Sequence, residues 1–406
     1  MQKDVLVVGA GVVGISIALE AQSRGLNVRV IDRIGPAAGA SAGNAGAFAF
    51  ADTLPLASPR IMRQAPKWLL DPLGPLSVPM GYAPRLLPWM WRFWRASRPA
   101  QVAASTKAQT AMMRHAQGTL DGFLARAGAS NMLRHEGQMQ VYEGARQFEA
   151  SLEGWAAREA GGVAFRHLKG DEVQQMQPGL SPRFTHATFT PGWATIDDPK
   201  AYVETLADKF RANGGEIIIA DAEALTQDGL RTSAGAITGR VVIAAGAHSH
   251  HLARTAGVRI PLETERGYNT TLPHDGIELR QHITFPAHGF VISKLDGRLR
   301  IGGAVELGGL EAPPNYKRAD AMLRKAATFF PGLDTSGGTQ WMGFRPSLPD
   351  SLPAIGPLPG RPDVICAFGH GHLGLTQSTA TADIVADLLT DKAPGIDMAP
   401  FSPARF

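Results

Sequence analysis

Short apolar runs and helical apolar patterns alternate at the start of the chain. Val5–Val8 is a continuous apolar run, which is typical of a strand buried in a parallel sheet. Residues 15–25 then place apolar side chains at helical spacing and end on a cation and a glycine. A second apolar run, 28–31, stops at Asp32. The pattern predicts a strand, a helix and a second strand within the first 32 residues.

Three glycines occupy the turn between the first strand and the helix. Gly9 permits a tight turn, Gly11 lets the backbone approach a pyrophosphate, and Gly14 lets the helix pack on the strand. The pyrophosphate would lie on the positive end of the helix. Asp32 can accept hydrogen bonds from a ribose hydroxyl. We therefore expect a dinucleotide-binding fold, although Asp32 does not distinguish NAD from FAD.

Two further segments are rich in small residues. Residues 39–47 follow the strand that ends on Asp32, and backbone amides in so small a stretch can reach a flat ligand. Residues 369–374 form a second glycine-rich turn that contains His370 and His372 and precedes a predicted helix over 376–389. A mobile loop and an ordinary strand-to-helix crossover are the alternatives. The positions of both segments favour contact with a cofactor.

Arg345 is a cation surrounded by apolar and proline residues. A planar guanidinium is the natural bidentate partner of a carboxylate, so Arg345 is a candidate for substrate binding. A structural salt bridge to Asp350 explains the same residue equally well. The sequence pattern alone leaves both interpretations open.

The middle of the chain changes from an alternating βα pattern to an antiparallel one. Asp198 is placed to cap a helix over 199–213, and strands over 216–220 and 240–245 follow. Between about 257 and 340 the pattern is antiparallel, with Asp296-Gly297 as a type I′ hairpin turn. We interpret this sheet as the roof of a substrate pocket. Tyr268 and His288 are candidates to line it, and core packing or surface exposure is the alternative for each.

Composition sets further limits. At 406 residues, with a net charge of +4, the chain predicts two domains and gives no reason to expect a nucleic-acid partner. Cys366 is the single cysteine, which excludes an internal disulfide and fits a small buried side chain in a reducing compartment. No secretory signal and no apolar run of about 20 residues is visible. We expect a cytoplasmic protein without a metal site.

Residues 54–100 combine tryptophan with positive charge. Four of the seven tryptophans lie here, and seven Lys or Arg face one acid, Asp71, between Arg60 and Arg98. One hypothesis is that this segment docks the protein on the inner membrane, where a quinone could accept electrons. The alternative is that the tryptophans cover a pocket and the arginines are solvated.

These segments together resemble the D-amino-acid oxidase/dehydrogenase superfamily, which includes glycine oxidase and sarcosine oxidase. The resemblance extends over most of the chain and is greatest to the glyphosate-oxidoreductase-like members of the D-amino-acid dehydrogenase branch. The segments that carry it are 42–46, 67–76, 134–137, 264–268, 341–356 and 368–376.

The resemblance implies a noncovalent FAD, because Cys366 does not match the position of the cysteine that holds flavin in sarcosine oxidases. It places Arg345 on the substrate carboxylate, with His370, His372 and Tyr268 as further catalytic candidates. It places the turn that contains His372 at the flavin N1/O2 edge. The cofactor contacts that it implies are Gly9, Gly11, Val12, Val13, Gly14, Asp32, Arg33, Ser41, Gly43, Asn44, Ala45, Gly46, Ala222, Ala245, Gly246, Gly371, His372, Leu373 and Gly374.

The implied fold is α/β with an α+β second domain: a Rossmann-like FAD-binding domain and an antiparallel-sheet substrate domain, as in glycine oxidase. We expect the FAD-binding domain at 1–95, 156–256 and 341–406, and the substrate domain at 96–155 and 257–340.

The implied reaction is oxidative deamination of a D-amino acid or an N-substituted glycine, by hydride transfer from Cα to flavin N5, giving a 2-oxo acid and ammonia or an amine. Oxidation of a 2-hydroxy acid, or a role as a flavin-binding subunit of a multi-subunit amine dehydrogenase, are the alternatives. The sequence does not distinguish oxygen from a quinone as the electron acceptor. It also does not favour a particular oligomeric state.

Overall fold

The computed structural model describes residues 4–71, 74–273 and 276–406. In chain order, the strands of this part of the chain are β1 (Val5–Val8), β2 (Val28–Asp32), β3 (Ala47–Phe48), β4 (Leu76–Ser77), β5 (Leu133–Arg134), β6 (Gln138–Tyr142), β7 (Arg166–Lys169), β8 (His186–Thr190), β9 (Ala194–Ile196), β10 (Glu216–Ile219), β11 (Ala222–Leu225), β12 (Gly229–Thr232), β13 (Gly235–Thr238), β14 (Arg240–Ile243), β15 (Glu263–Leu272), β16 (His282–Phe285), β17 (Phe290–Leu295), β18 (Arg298–Leu307), β19 (Thr339–Ser347), β20 (Ala354–Leu358) and β21 (Arg361–Phe368).

The α-helices of the described residues are α1 (Val12–Ser23), α2 (Pro59–Leu69), α3 (Ala83–Ala96), α4 (Pro99–Ala127), α5 (Ala145–Glu149), α6 (Leu152–Ala160), α7 (Asp171–Met176), α8 (Pro199–Ala212), α9 (Ser249–Thr255), α10 (Lys317–Phe329) and α11 (Ser378–Leu389).

A parallel sheet carries the dinucleotide-binding pattern. Its strand order is β10-β2-β1-β14-β21-β20, and all neighbours pair in parallel except β20, which is antiparallel to β21. Every residue of the central strand β1 is buried, as its continuous apolar run predicted. Helices α1 and α11 pack on one another in the main hydrophobic core. The predicted strand, helix and strand at the start of the chain are confirmed.

Helix α8 begins where the sequence predicted it. The side chain of Asp198 accepts hydrogen bonds from the backbone N–H groups of Lys200 (2.8 Å) and Ala201 (3.1 Å), and Pro199 occupies the first helical position. The capped helix packs on α1 in the same core, where Tyr202, Val203 and the other apolar residues of α8 are buried.

A larger, mostly antiparallel sheet forms the second layer. Its main order is β19-β15-β18-β17-β16-β6-β8-β7, and β4 pairs with β18. The hairpin between β17 and β18 is confirmed: Leu295 pairs with Arg298, and both Asp296 (φ 49°) and Gly297 (φ 73°) have the positive φ of a type I′ turn. Helix α10 covers one face of this sheet with its apolar side. The other face is turned towards a large cavity.

The two sheets coincide only in part with the expected domain ranges. Strands β7 and β8 fall within 156–256, and β19 extends to Ser347, yet all three belong to the large sheet. They join it because β8 pairs with β6 and β19 pairs with β15 along nine consecutive positions. The large sheet therefore draws on segments that the sequence assigned to the FAD-binding domain.

Helix α11 begins later than expected. The sequence predicted a helix over 376–389, whereas the structure has turns up to Gln377 and a helix from Ser378. Thr376 holds this turn against strand β3, because its Oγ1 accepts from the Ala49 N–H (3.0 Å) and donates to the Ala47 carbonyl (3.3 Å). The backbone groups nearest the cavity at this point are therefore those of the glycine-rich turn.

Candidate active site

A cavity of about 1220 Å³ is lined by residues from both sheets. The parallel sheet contributes its glycine-rich turns, and the large sheet contributes β15, β18 and β19. The described segments of α2 and α3 also contribute side chains to its wall. A cavity at the carboxyl ends of parallel strands is where an open α/β sheet binds a dinucleotide.

The first glycine-rich turn is built for close backbone contact. Gly9 has φ +111°, and a Cβ there would lie closer than 3.0 Å to the Ala244 carbonyl. A Cβ on Gly14 would likewise collide with the Gly9 carbonyl, so helix α1 approaches the strand only because residue 14 is glycine. Gly9, Gly11, Val12 and Val13 line the cavity, and Gly14 lies behind them.

Asp32 and Ser41 fix the shape of this turn. The Asp32 carboxylate accepts from the backbone N–H groups of Ala10 (2.8 Å), Ile34 (2.9 Å) and Gly35 (2.9 Å). The Ser41 hydroxyl accepts from the Val12 N–H at 2.9 Å and so binds one of the N-terminal amides of α1. Both residues line the cavity, as the sequence expected.

The part of the cavity wall around Arg33 contains residues that the sequence predicted and residues that the sequence reasoning missed. Arg33, Ala222, Ala245 and Gly246 line it as expected. Glu223, His248 and His251 also line it and were missed. Burial and the nearby Arg33 charge lower the pKa of His248 to about 4, so its imidazole is neutral at pH 7. The Gly246-Ala247-His248 segment directly after β14 was the feature of the sequence that could have indicated His248 as a lining residue.

The small-residue loop 41–46 is held by the large sheet. Asn269 Nδ2 donates to the Gly43 carbonyl at 2.7 Å, and Arg300 Nη1 donates to the Asn44 carbonyl at 2.6 Å. Ser41, Gly43, Asn44 and Ala45 line the cavity. Gly46, with φ +69°, packs on Ile196 and Leu295 instead. The loop is therefore clamped between the two sheets, which the sequence did not reveal.

Arg300, on β18, also lines the cavity. Its Nε also donates to Thr271 Oγ1 at 2.9 Å, and burial lowers its pKa to about 10. Arg266 and Arg298 are instead ion-paired, with Glu306 at 3.2 Å and Asp198 at 2.5 Å. Neither of these two ion pairs is part of the cavity wall that the described residues form.

Arg345 lies on β19, and its side chain forms part of the cavity wall. Its Nη1 donates to the Ala304 carbonyl at 3.0 Å and its Nη2 donates to the Gly303 carbonyl at 3.5 Å. A Cβ on Gly267 would lie closer than 3.0 Å to the guanidinium, so glycine at 267 makes room for it. Burial lowers the pKa of Arg345 from its usual value. The alternative salt bridge is wrong, because Asp350 pairs with Arg405 at 2.7 Å.

Glu265 faces the same part of the cavity and was missed by the sequence reasoning. It is directly opposite Arg345 in the antiparallel pairing of β15 with β19, and both residues line the cavity. Glu265, Gly267 and Asn269 alternate along β15 and line the cavity, and Tyr268 joins them where the pairing of β15 with β18 shifts register. That alternation was the signal in the sequence.

The two histidines of the second glycine-rich turn differ in their surroundings. His370 is buried, its Nε2 lies 3.0 Å from Thr381 Oγ1, and burial lowers its pKa to about 3. His372 opens onto the cavity, with Nε2 3.9 Å from Asp52 Oδ2. Burial and the nearby positive charge of Arg345 lower the pKa of His372. The negative charges of Asp52 and Glu265 raise it and so oppose this shift in part. Gly371, Leu373 and Gly374 line the cavity beside them.

Tyr268 and His288 are held by other contacts. The Tyr268 hydroxyl donates to Glu306 and accepts from the Asn315 N–H at 3.1 Å, and its ring packs edge-on against Tyr316. Tyr268 packs in the core of the large sheet, and it is also among the residues that line the cavity, as the sequence expected. His288 Nε2 lies 2.6 Å from Glu143 Oε1, and His288 is not part of the cavity wall that the described residues form.

These features fit FAD. Glycines without room for a Cβ allow the backbone to approach a pyrophosphate, and the N-terminus of α1 opens beside them. The loop 41–46 and the turn 371–374 supply backbone amides on the same cavity. The cavity joins Arg33 and the glycine-rich turns to Arg345, which suits a dinucleotide with a substrate space beside it.

The comparison with known sequences decides the family. A family described as FAD-dependent oxidoreductase matches residues 4–388 of the chain. The chain belongs to this family. It is an FAD-dependent oxidoreductase of the amino acid oxidase/dehydrogenase type. The resemblance and the cofactor inferred from the sequence are confirmed.

Two relatives are similar over their whole length. A D-amino-acid oxidase of Bradyrhizobium diazoefficiens is 36% identical over 420 residues, which cover 100% of this chain and 99% of that protein. A D-amino acid dehydrogenase of Rhizobium johnstonii is 30% identical over 415 residues, which cover 99% of each.

Solved structures of this FAD-dependent oxidoreductase fold agree with the expected architecture. Glycine oxidase of Geobacillus kaustophilus has a TM-score of 0.78 at 22% identity, covering 100% of this chain and 99% of that chain. Iminodiacetate oxidase of Chelativorans sp. has a TM-score of 0.73 at 20% identity, covering 98% of each. The predicted fold class is confirmed.

Cys366 lies away from the cavity in this FAD-dependent oxidoreductase. It is buried in the core beside β14 and β20, and burial raises the pKa of its thiol to about 12. It behaves as the small buried side chain that the sequence predicted.

Proposed function

We propose that the protein catalyses oxidative deamination of a small amino acid, either a D-amino acid or an N-substituted glycine. The products are a 2-oxo acid and ammonia or a primary amine. FAD, when bound, supplies the acceptor for the two electrons and the hydrogen that leave Cα. The proposal rests on the Arg345 side chain, which lines the cavity. Among the described residues, its guanidinium donates to two carbonyl groups and to no carboxylate.

Arg345 binds the substrate carboxylate. Guanidinium and carboxylate form paired, charge-assisted hydrogen bonds whose geometry fixes the orientation of the bound acid. Gly267 leaves room for this guanidinium, and the carbonyls of Gly303 and Ala304 hold it in place. A side chain so restrained loses little freedom on binding, so the substrate is positioned at small entropic cost. Positioning of this kind supplies a large part of the rate in such reactions.

Glu265 binds the substrate amine. An amino acid carries a positive ammonium next to its carboxylate, and Glu265 lies opposite Arg345 on the same face of the sheet. The pair presents one positive and one negative group to a zwitterion. Glu265 accepts a hydrogen bond from the substrate nitrogen and so holds it in place beside the carboxylate that Arg345 binds. His372, with its lowered pKa, is a neutral acceptor on the opposite wall.

The 2-hydroxy-acid alternative is less well supported by the same pair. A hydroxy acid would satisfy Arg345 through its carboxylate, but its neutral hydroxyl gives Glu265 no cation to bind. A carboxylate placed beside the substrate carboxylate would then repel it. The buried position of Glu265 therefore favours an amine substrate.

Anaerobic bleaching tests this proposal. The purified protein, loaded with FAD, is mixed without oxygen with D-amino acids, L-amino acids, N-substituted glycines or 2-hydroxy acids, and the visible flavin absorbance is followed. We expect bleaching by one of the amine classes and release of the matching 2-oxo acid. Bleaching by hydroxy acids alone, or by none of these compounds, would contradict the proposal. Adding oxygen or a quinone analogue to the bleached protein then identifies the electron acceptor.

A further inference from the structure

Arg345, Glu265 and Leu307 form one row across three neighbouring strands of the large sheet. Glu265, on β15, is directly opposite Arg345 on β19 and directly opposite Leu307 on β18. Residues directly opposite one another in antiparallel strands lie on the same face, and strands are about 4.8 Å apart, so the row spans roughly 10 Å. All three residues line the cavity. The row therefore presents a cation, an anion and an apolar side chain to the same space.

The Arg345 guanidinium extends towards the strand that carries Leu307. It reaches across β15 to the carbonyl groups of Gly303 and Ala304 on β18. Val305 follows directly on the same strand and also lines the cavity. A ligand whose carboxylate is bound by Arg345 therefore has apolar side chains of β18 beside it.

Helix α3 and strand β4 complete an apolar wall against these side chains of β18. Six residues both belong to one hydrophobic cluster and line the cavity: Leu76, Trp89, Met90, Phe93, Val305 and Leu307. We call these six residues the apolar subsite. The rings of Trp89 and Phe93 stack with their centres 5.2 Å apart. Met90, Phe93 and Val305 are only half-buried, so they keep apolar surface that a ligand can cover.

A small cavity of about 20 Å³ connects the apolar subsite with the polar groups of the site. Phe93 lines it together with Glu265 and His372. The Phe93 ring and the carboxylate proposed to hold the substrate nitrogen therefore border one space. An amino acid held by Arg345 and Glu265 has the apolar subsite within reach of its side chain.

Helices α2 and α3 contribute apolar side chains to the cavity, and no described helix is long and apolar enough to cross a membrane. One of the two interpretations of this segment placed its tryptophans over a pocket, and Trp68 and Trp89 do line the cavity. Within the described residues 54–71 and 74–100, neither Asp71 nor any arginine lines it. A charged substrate side chain placed here would lose hydration without gaining a partner.

We propose that the apolar subsite binds the side chain of the substrate, and that this side chain is branched aliphatic or aromatic. The inference narrows the proposed function and rests on it, since Arg345 and Glu265 supply the contacts to the carboxylate and the nitrogen. Covering the subsite removes apolar surface of both partners from water. Glycine and its derivatives with a small or acidic N-substituent leave that surface uncovered or place a charge against it.

Binding of unreactive carboxylic acids tests the subsite without the reaction. The protein loaded with FAD is titrated by calorimetry with acetate, 4-methylpentanoate, 3-phenylpropanoate and succinate. Each buried methylene contributes roughly a fourfold gain in affinity, so we expect the two apolar acids to bind at least about 30-fold more tightly than acetate. Succinate should bind no more tightly than acetate, because its second carboxylate meets no cation in the subsite.

Turnover should show the same preference. The value of kcat/KM is measured for both stereoisomers of leucine, phenylalanine, alanine, lysine and glutamate, and for N-methylglycine. For the reactive stereoisomer, we expect leucine and phenylalanine to exceed alanine at least about 30-fold. Lysine, glutamate and N-methylglycine should fall below alanine or match it.

Two valines of the same hydrophobic cluster provide a matched pair of variants. Val305 lines the cavity, whereas Val78 does not. We expect Val305→Ala to weaken binding of 3-phenylpropanoate about threefold to tenfold and Phe93→Ala at least about tenfold, with acetate binding changed less than about twofold. Val78→Ala should bind every acid like the parent protein. The flavin content of each variant checks that the FAD site is intact.

The subsite and the proposed function fail through different results. Equal affinity for acetate and the apolar acids, tighter binding of succinate, or equal losses in Val305→Ala and Val78→Ala would overturn the subsite. Preferred turnover of N-methylglycine, lysine or glutamate would also overturn it and would leave oxidative deamination standing. Tight binding of the apolar acids without bleaching by any amine would support the subsite and contradict the proposed function alone.

Discussion

Glu265 and Arg345 stand directly opposite one another on β15 and β19, and both face the cavity. Gly267, two residues along β15, leaves the space that the Arg345 guanidinium occupies. One strand pair therefore presents a carboxylate and a guanidinium to the same cavity.

Replacing Arg345 by alanine should remove the carboxylate anchor. Truncating one partner of a buried, hydrogen-bonded charge pair costs about 2–5 kcal/mol, which corresponds to roughly a 30-fold or larger rise in KM. Steady-state kinetics of Arg345→Ala against Arg345→Lys measure the effect, and the lysine should restore part of it. The flavin spectrum should be unchanged in both. Near-normal KM in the alanine variant would show that the carboxylate binds elsewhere.

Replacing Glu265 by glutamine should weaken binding of the substrate amine. A charge-assisted hydrogen bond contributes about 1.5–3 kcal/mol, so KM for an amino acid should rise roughly 10- to 100-fold. Activity on a 2-hydroxy acid should not fall, because its hydroxyl carries no charge. Glu263→Gln is the matched control, since Glu263 accepts from the Tyr82 hydroxyl and not from a ligand in the cavity. Equal losses on both substrate classes would argue for a structural role.

Replacing Gly9 by alanine should weaken FAD binding, by roughly 5- to 150-fold for a strain of about 1–3 kcal/mol. The residue has φ +111°, and a Cβ would lie closer than 3.0 Å to the Ala244 carbonyl, so the turn that approaches the pyrophosphate must deform. Strain of this kind costs about 1–3 kcal/mol. Flavin content after purification and thermal unfolding measure both effects. Gly118→Ala, in the exposed part of α4 with open space around residue 118, should keep FAD and match or exceed the parent stability.

The stability of the protein should fall as the pH drops below about 6.5. Burial lowers the pKa of His282 to about 4 and that of His370 to about 3, from an ordinary value of 6.5. Between those values the unfolded chain binds a proton and the folded chain does not, so acid favours unfolding. Each such histidine contributes a slope of up to about 1.4 kcal/mol per pH unit.

Urea unfolding at several pH values, with FAD in excess, measures this slope. The variant His282→Gln should flatten the slope by the contribution of one group, because glutamine does not titrate and can still bond to Ser293, whose Oγ lies 3.0 Å from His282 Nδ1. An unchanged slope in this variant would mean that His282 takes up its proton in the folded protein.

Denaturation should release FAD from the protein intact. Cys366 is buried away from the cavity and its thiol has a pKa of about 12, so it carries no thiolate that could attack a flavin at neutral pH. We expect a thiol reagent to leave the native protein unmodified and to label one group after unfolding. The flavin should separate completely from the denatured chain by filtration. Flavin that stays with the chain would indicate a covalent attachment.

Local sequence determined much of the cofactor site. Asp198 caps α8 through its own neighbours, and Gly14 makes room for the Gly9 carbonyl five residues earlier, so both follow from contacts within a few residues. The Asp296-Gly297 hairpin was equally local, because the turn type depends on which residues tolerate a positive φ.

The tertiary structure alone decided the partners of the charged residues. Asp350 is five residues from Arg345 yet pairs with Arg405, while Arg266 pairs with Glu306 and Arg298 with Asp198. Glu265 became a candidate only when β15 and β19 were paired in register. Sequence determines the charge of a residue and the face of a strand on which it lies. Which opposite charge meets it depends on how distant strands pair, and that depends on the packing of the whole chain.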